Sequence, residues 1–359
     1  MCKIIGSCGS ISLKLHYICS RFRLLYMSYR FVSKILLFAC LLLVSCGKHT
    51  DYRIAVDCVQ PLEVTRFDKG LLQYVQLTDT VQKHSFIEAS GEFWYLYNRR
   101  LLGLDDAPYF DEGLARFMGD SIVSSLYADV QACYADISAE SECLAQLVAR
   151  YKTLFPHKPT PVVQCHISGL GRSIVTLDSL ISISLDCYMG EDYAPYKQRY
   201  HTYELPLHTR RRIVADVAEV LLRNAVPRPQ GATLLDAMVY EGRIAYLMSG
   251  LIDDNTAEAV MGYSPLQAAW CSDYEAKIWA AIVEQSHLFA TDNITIRKYI
   301  QPSPFTATLT QDSPGRVGRW VGWRIVEAYA KRQVLTPQQI VNDTLPATDV
   351  LRQSGYMGK

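Results

Sequence analysis

The chain has no net charge. Its 359 residues hold 36 Lys and Arg against 36 Asp and Glu, so no overall field gathers phosphates and no nucleic-acid partner is expected. It lacks the run of roughly 20 apolar residues that a permanent membrane-spanning helix needs. Low-complexity sequence is missing too: apolar residues make up 49% and charged residues 20%, which excludes a disordered tail or a collagenous rod. The 11 cysteines include no CxxC or other metal-type spacing beyond residue 46, and a chain of this length stabilises itself by burial rather than by a disulfide framework. No repeat and no interdomain linker interrupts the sequence after residue 64.

What is present begins with an export signal. Arg30 and Lys34 precede an apolar stretch from Ile35 to Val44, too short for a span and right for a signal-peptide core. It ends in Leu43-Val44-Ser45-Cys46, which resembles the bacterial lipoprotein lipobox, whose Cys is diacylated and becomes the new N-terminus. A hydrophobic helix that happens to contain a cysteine is the alternative. Met27-Ser28-Tyr29-Arg30 opens a signal peptide of ordinary length, so translation is expected to start at Met27. The expected organisation is a signal region over 1–45, a lipid-anchored linker over 46–63 and a single folded domain over 64–359. No acidic cluster follows Cys46, which favours a periplasm-facing location.

Apolar spacing of three and four predicts helices over Phe86 to about Leu102, Asp120 to about Ile137 and Ser141 to about Phe155, the last capped by Ser141. Asp68 reads as the cap of an earlier helix that follows a strand end at Val64-Thr65-Arg66. Leu102 to Phe110, with Gly103 and Pro108, reads as a loop. The pattern then turns β-branched at 161–167, 173–177 and 180–185, predicting a small meander with one covered and one polar face. Cys165 and Cys187 fall on neighbouring predicted strands, so a disulfide and two buried free thiols both stay open. Helices are predicted again over 209–225, 233–250, 264–289 and 315–333, with a short piece near 336–343. Thr233 caps the second and Ser313-Pro314 starts the fourth. Gly318 and Gly322, one turn apart, offer a smooth stripe for close helix packing.

Helices, a small sheet, a long helix and a second helix bearing Glu-Gly are what a gluzincin-type zinc peptidase would show. That chemistry needs His-Glu-x-x-His on one helix face and a carboxylate ligand from the next helix. Glu241-Gly242 fits the carboxylate. The preceding helix offers Ala215-Asp216-Val217-Ala218-Glu219, in which Ala215 has no donor atom and Glu219 stands where an imidazole belongs. His201 and His208 precede or open that helix and cannot replace the pair. Asp216, Glu219 and Glu241 are therefore read as structural acids, or, if all three face one cavity, as a metal-free carboxylate site in which mutual repulsion raises at least one pKa. No cofactor and no metal is expected.

Val64-Thr65-Arg66-Phe67-Asp68, Leu185-Asp186-Cys187-Tyr188-Met189-Gly190, Leu235-Asp236-Ala237-Met238-Val239-Tyr240-Glu241-Gly242, Glu275-Ala276-Lys277-Ile278-Trp279 and Ser313-Pro314-Gly315-Arg316-Val317-Gly318-Arg319-Trp320-Val321-Gly322-Trp323 resemble successive blocks of the GldB gliding-motility lipoprotein family of Bacteroidota. The resemblance implies an outer-membrane or periplasmic lipoprotein associated with gliding machinery. It also implies a predominantly helical α+β fold like the zincin metallopeptidases, with a small antiparallel or mixed sheet. The expected role is that of a non-catalytic, membrane-anchored module binding an envelope protein or peptide; an active envelope hydrolase is the alternative. Arg316, Arg319 and Arg324 with Trp320 and Trp323 form a candidate cationic-aromatic patch, or else an amphipathic helix with core tryptophans and solvated arginines.

Overall fold

Strand β1 (Val64–Arg66) passes straight into helix α1 (Phe67–Tyr74) in the computed structural model, which describes residues 53–104, 110–229 and 231–358. Cys46 and the signal region lie outside the described residues. Helices α2 (Thr80–Ser90), α3 (Asp111–Gly119), α4 (Ser121–Cys133) and α5 (Ser138–Leu154) lead to strands β2 (Val162–His166), β3 (Ile174–Leu177) and β4 (Leu180–Ser184). The rest is helical: α6 (Arg212–Ala225), α7 (Leu234–Leu251), α8 (Pro265–Asp273), α9 (Glu275–Glu284), α10 (Asn293–Ile300), α11 (Val317–Gln333), α12 (Pro337–Asn342) and α13 (Ala347–Ser354). The fold is α+β and mostly helical, with one small sheet.

The sheet is mixed, and the expected meander is wrong. The strand order is β1-β2-β4-β3, with β1 and β4 both parallel to β2 and only β3 antiparallel to β4. Burial explains the difference, because a sheet covered on both faces can take parallel neighbours that an exposed hairpin stack cannot. Val163, Cys165, Ile181 and Ile183 face the main helical core. The side expected to be polar and open is closed as well: Gln164, His166, Ser182 and Ser184 are buried. Gln164 Nε2 donates to Ser182 Oγ at 3.2 Å, His166 Nδ1 lies 2.8 Å from the same oxygen, and the Ser184 hydroxyl donates to Asp186. Phe93 and Tyr97, from an aromatic cluster with Phe67, Tyr74 and Trp94, cover His166 edge to face. The imidazole, pushed down to about 3 by burial, stays neutral. Cys165 and Cys187 are buried free thiols.

Helices α7 and α11 meet at backbone contact. A Cβ on Gly242 would strike the Gly322 carbonyl, and one on Gly322 would strike the Met238 carbonyl, so the two glycines set how closely the axes approach. Gly318 does the same for α10, where an added Cβ would lie 2.9 Å from Tyr299 O. Close packing is thus the role of the small-residue stripe.

Several expected boundaries move. Asp68 is not a cap: α1 already begins at Phe67, and the fully buried carboxylate takes both arms of Arg66 at 2.8 and 2.6 Å and the Gln131 amide at 2.7 Å. Ser141 lies inside α5, which starts at Ser138, where Asp136 accepts the Ser138 N–H. Ser313 does not start α11; its hydroxyl accepts from Thr306 N and donates to Thr310 O, and the chain needs a left-handed Arg316 before the helix begins at Val317. The helix expected to run to Leu102 breaks at Gly91 (φ 54°). The long 264–289 helix bends at Tyr274 and turns Glu275 inward, to accept from Trp320 Nε1 and Tyr356 Oη. Helices α3, α10 and α13 had no counterpart in the sequence reading. Thr233 does cap α7, in a capping box, and Asp120 caps α4. The expected linker joins the domain in part: Ile54 N donates to Gly250 O, and Ile54 and Leu62 pack on the core.

Candidate functional site

Helix α6 places Arg212, Asp216, Glu219 and Arg223 on one stripe, at spacings of four, three and four, so each acid has an arginine one turn away. The stripe faces α7, which supplies Glu241, and α11, which supplies Arg319. Arg223 lies at the centre. Its Nη1 and Nη2 donate to Glu241 Oε1 and Oε2 at 2.8 and 2.6 Å, a two-pronged pair, while Nε and Nη2 reach Glu219 Oε1 at 2.9 and 2.8 Å. Arg319, 2% exposed, donates to Glu219 Oε2 at 2.9 Å and stands 4.0 Å from Glu241 Oε2.

Glu219 and Glu241 therefore share guanidinium partners. Asp216 is held apart, taking Arg212 Nη2 at 2.5 Å and the Tyr188 hydroxyl at 3.0 Å. The expected rise from mutual repulsion is not found at Glu219. Burial alone would push Glu219 up, but Arg319 and Arg223 outweigh it and hold the carboxyl well below the usual carboxylate range. Arg223 is correspondingly raised by Glu241 and Glu219, against its own burial.

The residues present do not suit a zinc ion. Ala215 contributes a methyl group, and each oxygen of both carboxylates that might ligate a metal already accepts a guanidinium N–H. Among the described residues no cluster of three or more His, Cys, Asp and Glu has metal-binding geometry. Arg223, Arg212 and Tyr188 escaped the sequence reading, although the Arg-x3-Asp-x2-Glu-x3-Arg spacing from 212 to 223 was there to show that α6 pairs its own acids.

The cationic-aromatic patch is not on the surface. Trp320 and Trp323 are buried and cross edge to face at 6.0 Å. The arginines are engaged too: Arg319 belongs to the acid network, Arg316 donates to Met261 O at 2.6 Å, and Arg324, its side chain 38% exposed, pairs with Glu275 and Glu327. Burial, with Arg319 nearby, pushes Arg316 down.

A family model described as gliding motility protein GldB matches residues 49–358, a range that contains all of the described residues. The protein belongs to the GldB family. Comparison with curated proteins and with solved structures finds no match. GldB membership associates the chain with gliding motility and points to a cell-envelope setting. Among the described residues of this GldB protein, no helix is long and apolar enough to cross a membrane.

Proposed function

We propose that this GldB protein is a lipid-anchored, periplasm-facing lipoprotein whose domain works by binding, on a zincin-like scaffold without peptidase chemistry. The observation that carries the reading is Arg223, whose guanidinium donates to both Glu219 and Glu241. A carboxylate whose charge is neutralised by a fixed guanidinium is a poor base toward water and a poor ligand for a second cation. Acylation of Cys46 is the proposed anchor, since acyl chains buried in a bilayer retain a domain whose described residues include no helix long and apolar enough to span.

The binding surface we favour is the outer edge of β3. Ser184 N donates to Ser173 O, and the register pairs Val175 with Ser182, so alternation directs the N–H and C=O of Ile174 and Thr176 away from β4. Among the described residues no strand pairs there. An extended partner segment would add as a further strand.

The test is metal retention combined with fractionation. Purified protein is expected to lose zinc to the buffer on dialysis, and Cys46→Ser is expected to move the protein from the membrane fraction to the soluble periplasmic fraction. Stoichiometric zinc that survives dialysis overturns the non-catalytic reading; membrane retention of the Ser variant overturns the anchor.

A further inference from the structure

Four of the five tryptophans are buried: Trp94, Trp279, Trp320 and Trp323. Trp270 is only half-buried. It stands on α8 one turn after Leu266, which is 84% exposed, and one turn before Tyr274, which is 39% exposed. Spacing of four puts the three side chains in one row along the helix. The Trp270 and Tyr274 rings lie nearly parallel with centres 5.0 Å apart, and the Lys277 ammonium sits 4.8 Å from the centre of the Tyr274 ring. Exposed charge over 265–283 is confined to Asp273 and Lys277, which cancel. One exposed leucine is ordinary, but an aligned Leu, Trp and Tyr on a stretch without net charge marks a contact surface.

The size of the row decides against a stable protein interface. No side chain offers more than about 250 Å², and all three are covered in part, so the row falls short of the about 800 Å² per partner that such an interface buries. A bilayer sets no such threshold for a domain tethered to it, because the tether supplies the effective concentration. Tether and row start from the same end of α7. Ile54 donates to Gly250 O in the last turn of that helix, and the chain over 46–52 reaches at most about 25 Å toward the proposed acyl site. Ile252, the residue after α7, lines one cavity with Tyr263, just ahead of Leu266. The residue types agree. Tryptophan and tyrosine collect at the headgroup level, where an apolar ring carries one polar tip, and a lysine there keeps its ammonium in water above an apolar stem. We infer that the Leu266–Trp270–Tyr274 row rests in the headgroup layer of the membrane that holds the acylated Cys46, and so fixes which face of the domain turns toward the bilayer. The inference rests on the anchor proposed above. Because Asp273 and Lys277 cancel, zwitterionic headgroups suffice.

The test reconstitutes the full protein, purified from membranes, in vesicles of phosphatidylcholine and phosphatidylethanolamine with brominated acyl chains, and reads tryptophan emission. Quenching of about one-fifth of the emission is expected, the share of one ring in five. Trp270→Phe should abolish it. Leu266→Asp should reduce it about two-fold or more with an unchanged urea midpoint, because a side chain that is 84% exposed contributes little to the fold. Vesicle flotation run alongside separates the two claims. Protein that floats unquenched, or whose quenching persists in Trp270→Phe, overturns the contact and leaves the anchor standing. Native protein that does not float overturns the anchor, and the contact falls with it. A photo-reactive residue at position 266 that captures protein and no lipid in cells assigns the row to a protein partner and also overturns the contact.

Discussion

Replacing Arg223 by Met removes the side chain that hydrogen-bonds both Glu219 and Glu241 while keeping most of its apolar stem. The two carboxylates then face each other with Arg319 as their shared cation. Breaking a buried ion pair by deleting one partner costs about 3–5 kcal/mol. Arg223 is 30% exposed along its side chain, so the low end, about 3 kcal/mol, is appropriate. In urea, with an unfolding slope near 3 kcal/mol per molar, that corresponds to a midpoint about 1 M lower with the slope unchanged. Adding Glu241→Gln should return part of the loss, because the carboxylate left unpaired is what makes the single change costly. The pH dependence gives an independent check. Glu219 has a folded pKa held below its unfolded value of about 4.3, so it contributes stability above that value, lost as pH falls through the folded pKa. The Met variant should show a shallower loss in that acid window. A change below about 1 kcal/mol, or no recovery in the double variant, would show that the network is a solvated surface arrangement and would remove the ground for calling the acids structural.

The α7–α11 contact makes Gly322→Ala severe: the new methyl meets the Met238 carbonyl, and overpacking costs about 1–3 kcal/mol or more. Gly119→Ala, whose Cβ would meet nothing within 4 Å, is the control and should be near neutral; equal thermal midpoints for the two would refute the close approach. His166 gives a second pH signature. Its imidazole binds a proton in the unfolded chain near pH 6.5 but in the fold only near 3, so stability falls as pH drops through 6.5. Between pH 7.5 and 5.5 the loss is about 1.4 kcal/mol by that linkage, and His166→Gln should abolish it in denaturant titrations; an unchanged slope counts against neutral burial.

The parts of this fold that sequence makes legible are those where one residue acts alone. Thr233 caps α7 because its hydroxyl needs only a backbone N–H three residues on, and Gly322 announces close packing because the absence of a side chain has few other uses inside a helix. The parts that stayed hidden depend on partners distant in the chain. Asp68 has the type and position of an N-cap, yet Gln131, 63 residues away, and Arg66 draw it inside. Ser182 and Ser184 alternate with apolar residues as solvent-facing positions do, yet the aromatic cluster from the N-terminal helices closes over them. Strand order was hidden for the same reason: β1 is three residues long, and nothing local says that it pairs with β2 across a hundred residues.

The candidate site divides along the same line. The missing donor at Ala215 is a local fact, and it alone removes a three-ligand zinc centre. What neutralises the acids is not local. Arg223 reads as an ordinary helix-surface cation until Glu241 is brought across from α7, and Arg319 reads as part of a basic, tryptophan-bearing stripe until α11 packs its backbone against Gly242. That packing is what connects the two motifs: because Gly242 and Gly322 let α7 and α11 approach to backbone contact, Arg319 is carried inward to Glu219 rather than outward to solvent. The glycines that look structural and the acids that look catalytic thus belong to one arrangement, in which helix spacing decides whether the carboxylates meet a cation of the chain or remain free for chemistry. Widening the spacing by Gly322→Ala should then weaken the Arg319–Glu219 pair as well as the packing. Combined with Glu219→Gln, it should cost less than the sum of the two single changes, the coupling expected of neighbours and not of independent sites.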